Sequence, residues 1–221
     1  MPAPESELNV DEAAVVSNSE AAAGSTRKRP RPGERRVQIL QTLASMLEQP
    51  GADRVTTAAL AAKLSVSEAA LYRHFASKAQ MFEGLIEFIE GSVFTLLNQI
   101  IEREGSSGVM QAQKIVSVLL QFGERNPGMT RVMVGDALVY ENERLVLRMN
   151  QFFDRVEGAL RQVLRRAAEA NGSLTPTVDA NAQASVLVSF IIGRLQRYAR
   201  SGFKRSPIEQ MEAALRMLVA G

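Results

Sequence analysis

The sequence has 221 residues, 46% of them hydrophobic, which suits one large domain or a small domain joined to a larger one. Its most apolar run, residues 184–193, is too short to span a bilayer, and the N-terminus lacks a secretory signal pattern. These features exclude membrane and secreted classes, and the absence of cysteine, which excludes disulfides and thiolate metal sites, fits the expected cytoplasmic location.

The net charge of +2 hides an uneven distribution along the chain. Residues 1–26 contain acidic residues and no Lys or Arg, whereas residues 27–36 (RKRPRPGERR) are strongly basic. An acidic tail followed by a basic arm is common in nucleic-acid binders. Residues 1–33 are predicted to be a disordered leader that ends in this arm. A solvated leader is the simplest interpretation of the acidic part, while the arm fits solvation and nucleic-acid contact equally well.

From Glu34 onward, apolar residues recur at helical spacing and no segment demands a strand, which predicts an all-α fold. The first helix has an apolar face made of Val37, Leu40, Leu43, Ala44 and Leu47. The Pro and Gly within 49–53 end it. Two short helices are predicted at about 57–64 and 67–75, the latter with Ser67 as its N-cap.

The remaining chain is predicted to form six more helices, about nine in all. Ser77 and Gln80 have the form of a capping box at the start of the fourth helix, which ends at 105–108. The other helices occupy about 109–125, 129–141, 142–170, 177–202 and 207–220.

The two short helices, with the helix before them, form a predicted helix-turn-helix. Leu60, Ala61 and Leu64 give the first short helix a narrow inward stripe, and Val66, Leu71 and Phe75 give the second one its inward side. The outward side of the second short helix consists of small or basic residues: Ser67, Ala69, Ala70 and Arg73. Such a face suits a helix in the major groove, because small side chains let the backbone approach base edges.

The flanking residues are predicted to contact DNA phosphates. This set contains Tyr72, Arg73, His74 and Lys78. Thr56 and Thr57, at the start of the preceding short helix, are also predicted to bind DNA. His74 is the chain's single histidine, so no second His or Cys exists to complete a metal site, and no triad motif accompanies it. The alternative for His74 is simple packing beside Phe75.

The segment LAAKLSVSEAALYRHFASK, residues 60–78, resembles the DNA-binding domain of TetR-family regulators almost throughout. The family's Tyr-(Arg/Trp)-His-Phe element and the following Ser-Lys are both present. Ser65 is a departure, since the family usually has glycine at this turn, and serine at positive φ costs about 1 kcal/mol. The resemblance implies a DNA-binding domain at 34–80, a helical dimerisation and partner-binding domain at 81–221, and a homodimer on palindromic double-stranded DNA.

The segments at 67–92 and 119–165 further resemble the nucleoid occlusion factors, a subfamily of TetR-type proteins. That resemblance implies a nucleoid-associated protein that forms dimers, and larger assemblies, on chromosomal DNA. It also implies that the protein binds the tubulin-like division protein FtsZ and thereby antagonises assembly of the division ring. The implied FtsZ groove between the fourth and fifth helices contains Phe88, Val118, Gln121, Phe122, Arg125 and Asn126. Leu96 and Gln121 depart from the subfamily, which has a basic residue and a glycine there.

The residues of this groove also have plainer interpretations. Phe88 has the spacing of a core residue, and Arg125 and Asn126 fit a well-formed helix end. The carboxylates of Glu83, Glu87 and Glu90 are predicted to form a solvated helix face.

The last two predicted helices have more apolar positions than one buried face needs, which predicts a dimer interface. These positions are Val186, Leu187, Ser189, Phe190, Ile191, Gly193, Leu195, Met211, Ala214, Leu215 and Leu218.

Two alternatives to a division inhibitor require different features of the chain. A ligand-responsive TetR-type repressor would share the DNA-binding half and would need a sizeable apolar pocket in each subunit. The low aromatic content of 5% argues mildly against such a pocket. An enzyme is excluded by the lack of a glycine-rich phosphate loop, a metal-ligand spacing or a nucleophile motif, and no cofactor is expected.

Overall fold

A computed structural model describes residues 33–49, 55–103 and 107–219 of the chain. Within these ranges every regular element is helical, as the sequence predicts. The helices are α1 (Glu34–Leu47), α2 (Thr57–Lys63), α3 (Glu68–Tyr72), α4 (Lys78–Glu102), α5 (Gly108–Arg125), α6 (Pro127–Met133), α7 (Glu143–Ala170), α8 (Pro176–Arg200) and α9 (Met211–Leu218). A 3₁₀ helix, Asp136–Leu138, lies between α6 and α7.

Parts of the sequence predictions fall outside the described ranges. The residues outside them include 1–32, which contain the acidic leader and most of the basic arm. Residues 50–54, at the predicted end of the first helix, and 104–106, between the fourth and fifth helices, are also outside them. Their predicted structure is therefore untested.

Short polar side chains begin several of the helices, as N-capping predicts. Ser67, Ser77 and Ser107 each accept a hydrogen bond from the backbone N–H three residues later. The capping box of α4 differs in one detail, because the Gln80 side chain accepts from the N–H of Ala76, at 2.8 Å, rather than from that of Ser77.

The core of α1 differs from the predicted apolar face. Leu43, Ala44 and Leu47 are buried as expected, but Val37 is 55% exposed and Ile39 is fully buried. Val37 lies two turns before Ala44, where α6 crosses α1. Assigning Val37 to the core was wrong, because helical spacing defines a side of the helix but not where along that side another helix crosses it.

The C-terminal helices pack into a body in which α7 runs along α8, and α5 packs against α4, α7 and α8. Close backbone approach helps to define this body: a Cβ on Gly108 would lie 2.1 Å from the carbonyl oxygen of Val163. The Tyr198 hydroxyl on α8 donates to the Glu124 carbonyl oxygen at the end of α5, at 3.0 Å. Burial, with the nearby carboxylates of Glu124 and Glu48, raises the pKa of Tyr198, so the phenol remains a donor.

Among the described helices, α4 has the length and apolar composition that could cross a membrane. Core helices of soluble proteins share these properties, and the apolar side of α4 is packed into the interior here. Its composition is therefore weak support for a membrane span.

A ladder of ion pairs joins α4 to the first turns of α7. Glu83 lies 3.6 Å from Arg144, while Arg148 lies 3.8 Å from Glu87 and 2.7 Å from Glu90. The hydrogen bond from Arg148 to Glu90 is the main cause that raises the pKa of Arg148, so its guanidinium stays charged. The prediction of a solvated face holds for Glu87, which is exposed, but not for Glu90, whose side chain is 19% exposed. The basic residues that pair with these carboxylates come from a distant part of the chain, so helical spacing alone did not reveal them.

The C-terminal helix is shorter than predicted. Turns occupy the chain up to Gln210, whose φ of 52° places it in the left-handed region, and α9 begins at Met211.

The helix-turn-helix unit, α1 to α3, is joined to the C-terminal body at the crossing of α1 and α6. A Cβ on Gly128 would lie 2.1 Å from the carbonyl oxygen of Ala44 and 2.9 Å from its carbonyl carbon. The guanidinium of Arg131, also on α6, donates to the carbonyl oxygen of Leu47 at 3.3 Å. Glycine at position 128 therefore permits a backbone-to-backbone contact that no side chain would allow.

Gly128→Ala should lower the free energy of unfolding by about 2 kcal/mol or more, because the added methyl group meets backbone rather than a flexible side chain. Gly91→Ala is the matched control: Gly91 lies within α4 with open space around it, so alanine there should stabilise by about 0.5–1 kcal/mol. Urea denaturation of both variants checks this. Equal effects in the two would show that the crossing tolerates a methyl group.

Candidate nucleic-acid interface

The turn between α2 and α3 has the geometry expected of a helix-turn-helix. The N–H of Val66 bonds to the carbonyl of Ala61, and that of Ser65 to the carbonyl of Ala62, each at 3.0 Å. This pair of bonds forms a Schellman motif, whose left-handed position is normally a glycine. Ser65 occupies it with φ of 53°, so the expectation that the turn survives a serine at positive φ is confirmed.

A hydrogen bond joins the two short helices: the Thr57 hydroxyl on α2 donates to the Glu68 carboxylate on α3 at 2.6 Å. Within α2, the Thr56 hydroxyl accepts from the N–H of Ala59 at 3.2 Å. Thr56 and Ser67 are therefore N-caps, and a contact with phosphate would add to that role. Thr56 is exposed and Thr57 is half-buried.

The outward side of α3 forms a ridge of small and basic residues, here called the α3 ridge: Ser67, Ala69, Ala70 and Arg73. Ser67, Ala69 and Arg73 are exposed and Ala70 is half-buried, while Leu71 and Phe75 point into the core. Tyr72 and His74 are also exposed. The exposure of His74 favours a surface contact over packing beside Phe75.

Arg36, the last residue of the basic arm, contacts the C-terminal end of α3, which is the predicted major-groove helix and is here called the recognition helix. Its guanidinium donates to the carbonyl oxygen of His74 at 3.1 Å and lies 4.2 Å above the centre of the Phe75 ring. The sequence prediction missed this role, because it gave the arm only solvation or nucleic-acid contact. The sequence carried no local signal for it, because the contact joins α1 to a residue 39 positions further along the chain.

Lys78 is a predicted phosphate contact whose charge is already balanced by an acidic residue of the same chain. Its ammonium group pairs with the carboxylate of Glu141, in the segment between the 3₁₀ helix and α7. The ammonium also lies 5.7 Å from the centre of the Phe82 ring. A phosphate contact by Lys78 would have to share or displace Glu141.

The residues of the expected FtsZ groove divide into a surface group and an interior group. Phe88 is 37% exposed, Gln121 is half-buried and Arg125, in the last turn of α5, is exposed. Phe122 and Asn126 are 2% and 5% exposed, and Val118 is buried. The expectation that these last three residues line an open groove is corrected, because they belong to the interior.

The buried members have structural roles at the end of α5. The amide of Asn126 donates to the carbonyl oxygen of Phe122 at 2.8 Å, and Asn126 is the capping residue between α5 and α6. Leu96, which stands where the resemblance has a basic residue, is also buried. Of the residues in the expected FtsZ groove, Phe88, Gln121 and Arg125 are therefore the accessible ones.

The predicted dimer positions on α8 and α9 also divide by exposure. Leu187, Ile191, Leu195 and Leu215 fill the interior of the subunit. Val186 and Ser189 are exposed, and Phe190, Gly193, Met211, Ala214 and Leu218 are half-buried. Phe190, Met211 and Leu218 also pack partly against the subunit core, so Val186 and Ser189 are the most accessible of the predicted positions.

These features define the class of protein: a helix-turn-helix DNA-binding regulator with a helical C-terminal body. Residues 39–85 match the family described as "Bacterial regulatory proteins, tetR family", and residues 107–220 match the family described as "Tetracyclin repressor-like, C-terminal domain". The MbdR regulator from Azoarcus sp. CIB has a similar fold, with a TM-score of 0.70 over 84% of this chain and 97% of that chain at 16% identity.

Two curated relatives are much closer in sequence. Nucleoid occlusion factor SlmA from Marinomonas sp. (strain MWYL1) is 51% identical over 80% of this chain and 88% of that protein. Nucleoid occlusion factor SlmA from Photobacterium profundum is 49% identical over 84% of this chain and 94% of that protein. The chain belongs to the SlmA family of nucleoid occlusion factors, within the TetR family. Membership in a family of regulatory proteins confirms that it is not an enzyme.

Ser65→Gly should raise the free energy of unfolding by up to about 1 kcal/mol, because glycine removes the steric cost of the left-handed turn. Ala62→Gly, in the helical part of the same segment, is the control and should lower it by about 1 kcal/mol. Chemical denaturation of both variants tests the turn. A destabilised Ser65→Gly variant would contradict this interpretation.

Arg73→Ala should weaken binding to duplex DNA and make its salt dependence shallower by about 0.9 in log–log slope for each lost phosphate contact. Arg161→Ala is the control, because it removes an equal charge far from α3. Arg161 lies about 25 Å along α7 from the start of that helix, which is the end that pairs with α4. Fluorescence anisotropy at several salt concentrations measures both variants. An unchanged slope for Arg73→Ala would refute the phosphate contact.

Proposed function

We propose that this chain is a sequence-specific DNA-binding nucleoid occlusion factor that binds FtsZ while on chromosomal DNA and antagonises division-ring assembly over the nucleoid. The observation that carries the proposal is the α3 ridge, exposed on a recognition helix whose other side is fully packed. Half-identity to curated nucleoid occlusion factors over most of the chain supports the cellular role. The location that follows is the cytoplasm, at the nucleoid.

In this proposal the α3 ridge enters the major groove. Ala69 and Ala70 allow the backbone to approach base edges, and their methyl groups suit contact with thymine methyls. Tyr72, Arg73 and His74 contact phosphates at the C-terminal end of the helix. The bonds that Arg36 makes at the end of α3 reduce the conformational freedom that the helix would lose on binding.

We further propose a homodimer that uses the exposed side of α8 and α9. Val186, Ser189, Phe190 and Gly193 follow one another at three- and four-residue spacing along α8, and small residues within this stripe permit close helix packing. Two symmetric subunits present two recognition helices, which fits a palindromic site. The dimers can then assemble further along the duplex.

The proposed FtsZ surface is centred on Phe88 and Arg125. Helices α4 and α5 run antiparallel, since the Gln111 amide near the start of α5 donates to the carbonyl oxygens of Ile100 and Ile101 near the end of α4. Phe88 lies about 12 residues before this contact and Arg125 about 14 residues after it, so the two are at a similar level along the pair. An exposed aromatic ring at the same level as a cation suits a peptide that contains apolar and acidic residues. Gln121 lies one helical turn before Arg125 and borders the same surface.

A ligand-responsive repressor remains the second candidate, and the described cavities give it little support. A cavity of about 360 Å³ is lined mostly by charged and polar residues of α7, among them Arg161, Arg165, Arg166 and Glu169. Another, of about 250 Å³, is lined by Arg131, Asp136, Val139 and Tyr140. Neither is the apolar, enclosed pocket that a drug-like inducer needs.

Phe88→Ala should reduce FtsZ binding at least tenfold and leave DNA affinity unchanged, because the ring is an exposed anchor away from α3. Met110→Ala is the control: Met110 is an exposed apolar residue at the opposite end of α5. Co-sedimentation with FtsZ polymers, with and without duplex DNA, measures the effect. FtsZ binding that survives in Phe88→Ala, or falls equally in Met110→Ala, would contradict the assignment.

A further inference from the structure

The ion pair between Lys78 and Glu141 connects the start of α4 to the C-terminal body. The side chains are 24% and 9% exposed, respectively, so the carboxylate is almost completely withdrawn from solvent. In the neighbouring ion pair the charges are the other way round: α4 supplies the acidic residue, Glu83, and α7 supplies the basic residue, Arg144. Lys78 is thus a cation near the recognition helix whose charge is already balanced by an acid of the body.

This arrangement has a consequence for DNA binding. The electrostatic part of DNA affinity comes from cations that neutralise phosphates and release counterions. A lysine already neutralised by a carboxylate contributes little to that release. A phosphate that binds Lys78 also approaches Glu141, which is repelled by it and, if displaced, is left buried without its partner.

We propose that Glu141 competes with DNA phosphate for Lys78 and thereby lowers both the affinity and the salt dependence of DNA binding. The inference rests on the proposed contact of Lys78 with DNA. Glu141 lies outside the helix-turn-helix unit, two residues before α7, so the body limits how strongly the DNA-reading unit holds DNA. A regulator that must bind many sites reversibly gains from such a limit.

A purely structural role for the ion pair makes the opposite prediction. If Glu141 only holds α4 in place, removing its charge loosens the helix-turn-helix unit and weakens DNA binding. If Glu141 competes with phosphate, removing its charge strengthens binding. The sign of the change therefore separates the two roles.

The test is Glu141→Gln, which keeps the shape of the side chain and removes its charge. The probe is a duplex of about 30 bp recovered from a random pool by selection with the wild-type protein, and anisotropy is measured between about 50 and 200 mM salt. The variant should bind more tightly, with a log–log slope steeper by about 0.9 per subunit. Its advantage over the wild type should be about 3.5-fold larger per subunit at the low end of this salt range than at the high end.

Two controls test whether the effect of Glu141→Gln on DNA affinity depends on Lys78. Glu83→Gln removes an equal charge five residues along α4, and it should change affinity much less than Glu141→Gln does. In a Lys78→Ala background, Glu141→Gln should have almost no effect, because the cation it would free is gone. An effect of full size in that background, or an equal effect of Glu83→Gln, would overturn the inference in favour of general charge repulsion.

The outcomes also separate this inference from the proposed function. If the wild type does not bind duplex DNA even at low salt, the DNA-binding function itself fails. If the wild type binds and Glu141→Gln binds equally or more weakly, only the competition fails. Thermal unfolding establishes that the variant is folded, and Glu141→Ala, with the same expected increase in affinity, replaces it if the amide variant is not.

Discussion

The contact of α6 with α1 at Gly128 determines how the DNA-reading unit is attached to the rest of the molecule. Because the backbone at Gly128 touches the backbone at Ala44, this crossing depends on main-chain shape rather than on adaptable side chains. The bond from Arg131 to the last carbonyl of α1 reinforces it. The recognition helix is therefore presented by the body as a whole and not by a flexible linker, which suits the proposed dimer on a palindromic site.

Helix α4 carries residues of both proposed binding surfaces. Its first residue, Lys78, lies beside the recognition helix, and Phe88 follows ten residues later, about 15 Å along the same rigid element. Ion pairs with Glu141, Arg144 and Arg148 hold that part of α4 to the start of α7. The proposed DNA and FtsZ surfaces thus share one helix, so one molecule can present both surfaces at once without a hinge between them.

Local features of the sequence predicted the structure best. The all-helical fold, the caps of α3 and α4, the left-handed turn at Ser65 and the two sides of α3 all follow from residues within a few positions of each other. Features that depend on distant segments were missed. Val37 was assigned to the core although it is exposed, and the acids of α4 were assigned to solvent although Arg144 and Arg148 pair with them.

The sequence by itself determined the class of the protein, because helical periodicity, capping residues and the spacing of the recognition helix are properties of short segments. The tertiary structure decided which of the expected functional groups are accessible. It placed Phe122 and Asn126 in the interior while leaving Phe88 half-exposed, and it gave Lys78 an internal partner. Exposure and pairing depend on which helices meet in the folded protein. Periodicity within one helix shows which of its sides is apolar, but it does not show which residues of another helix will pack there.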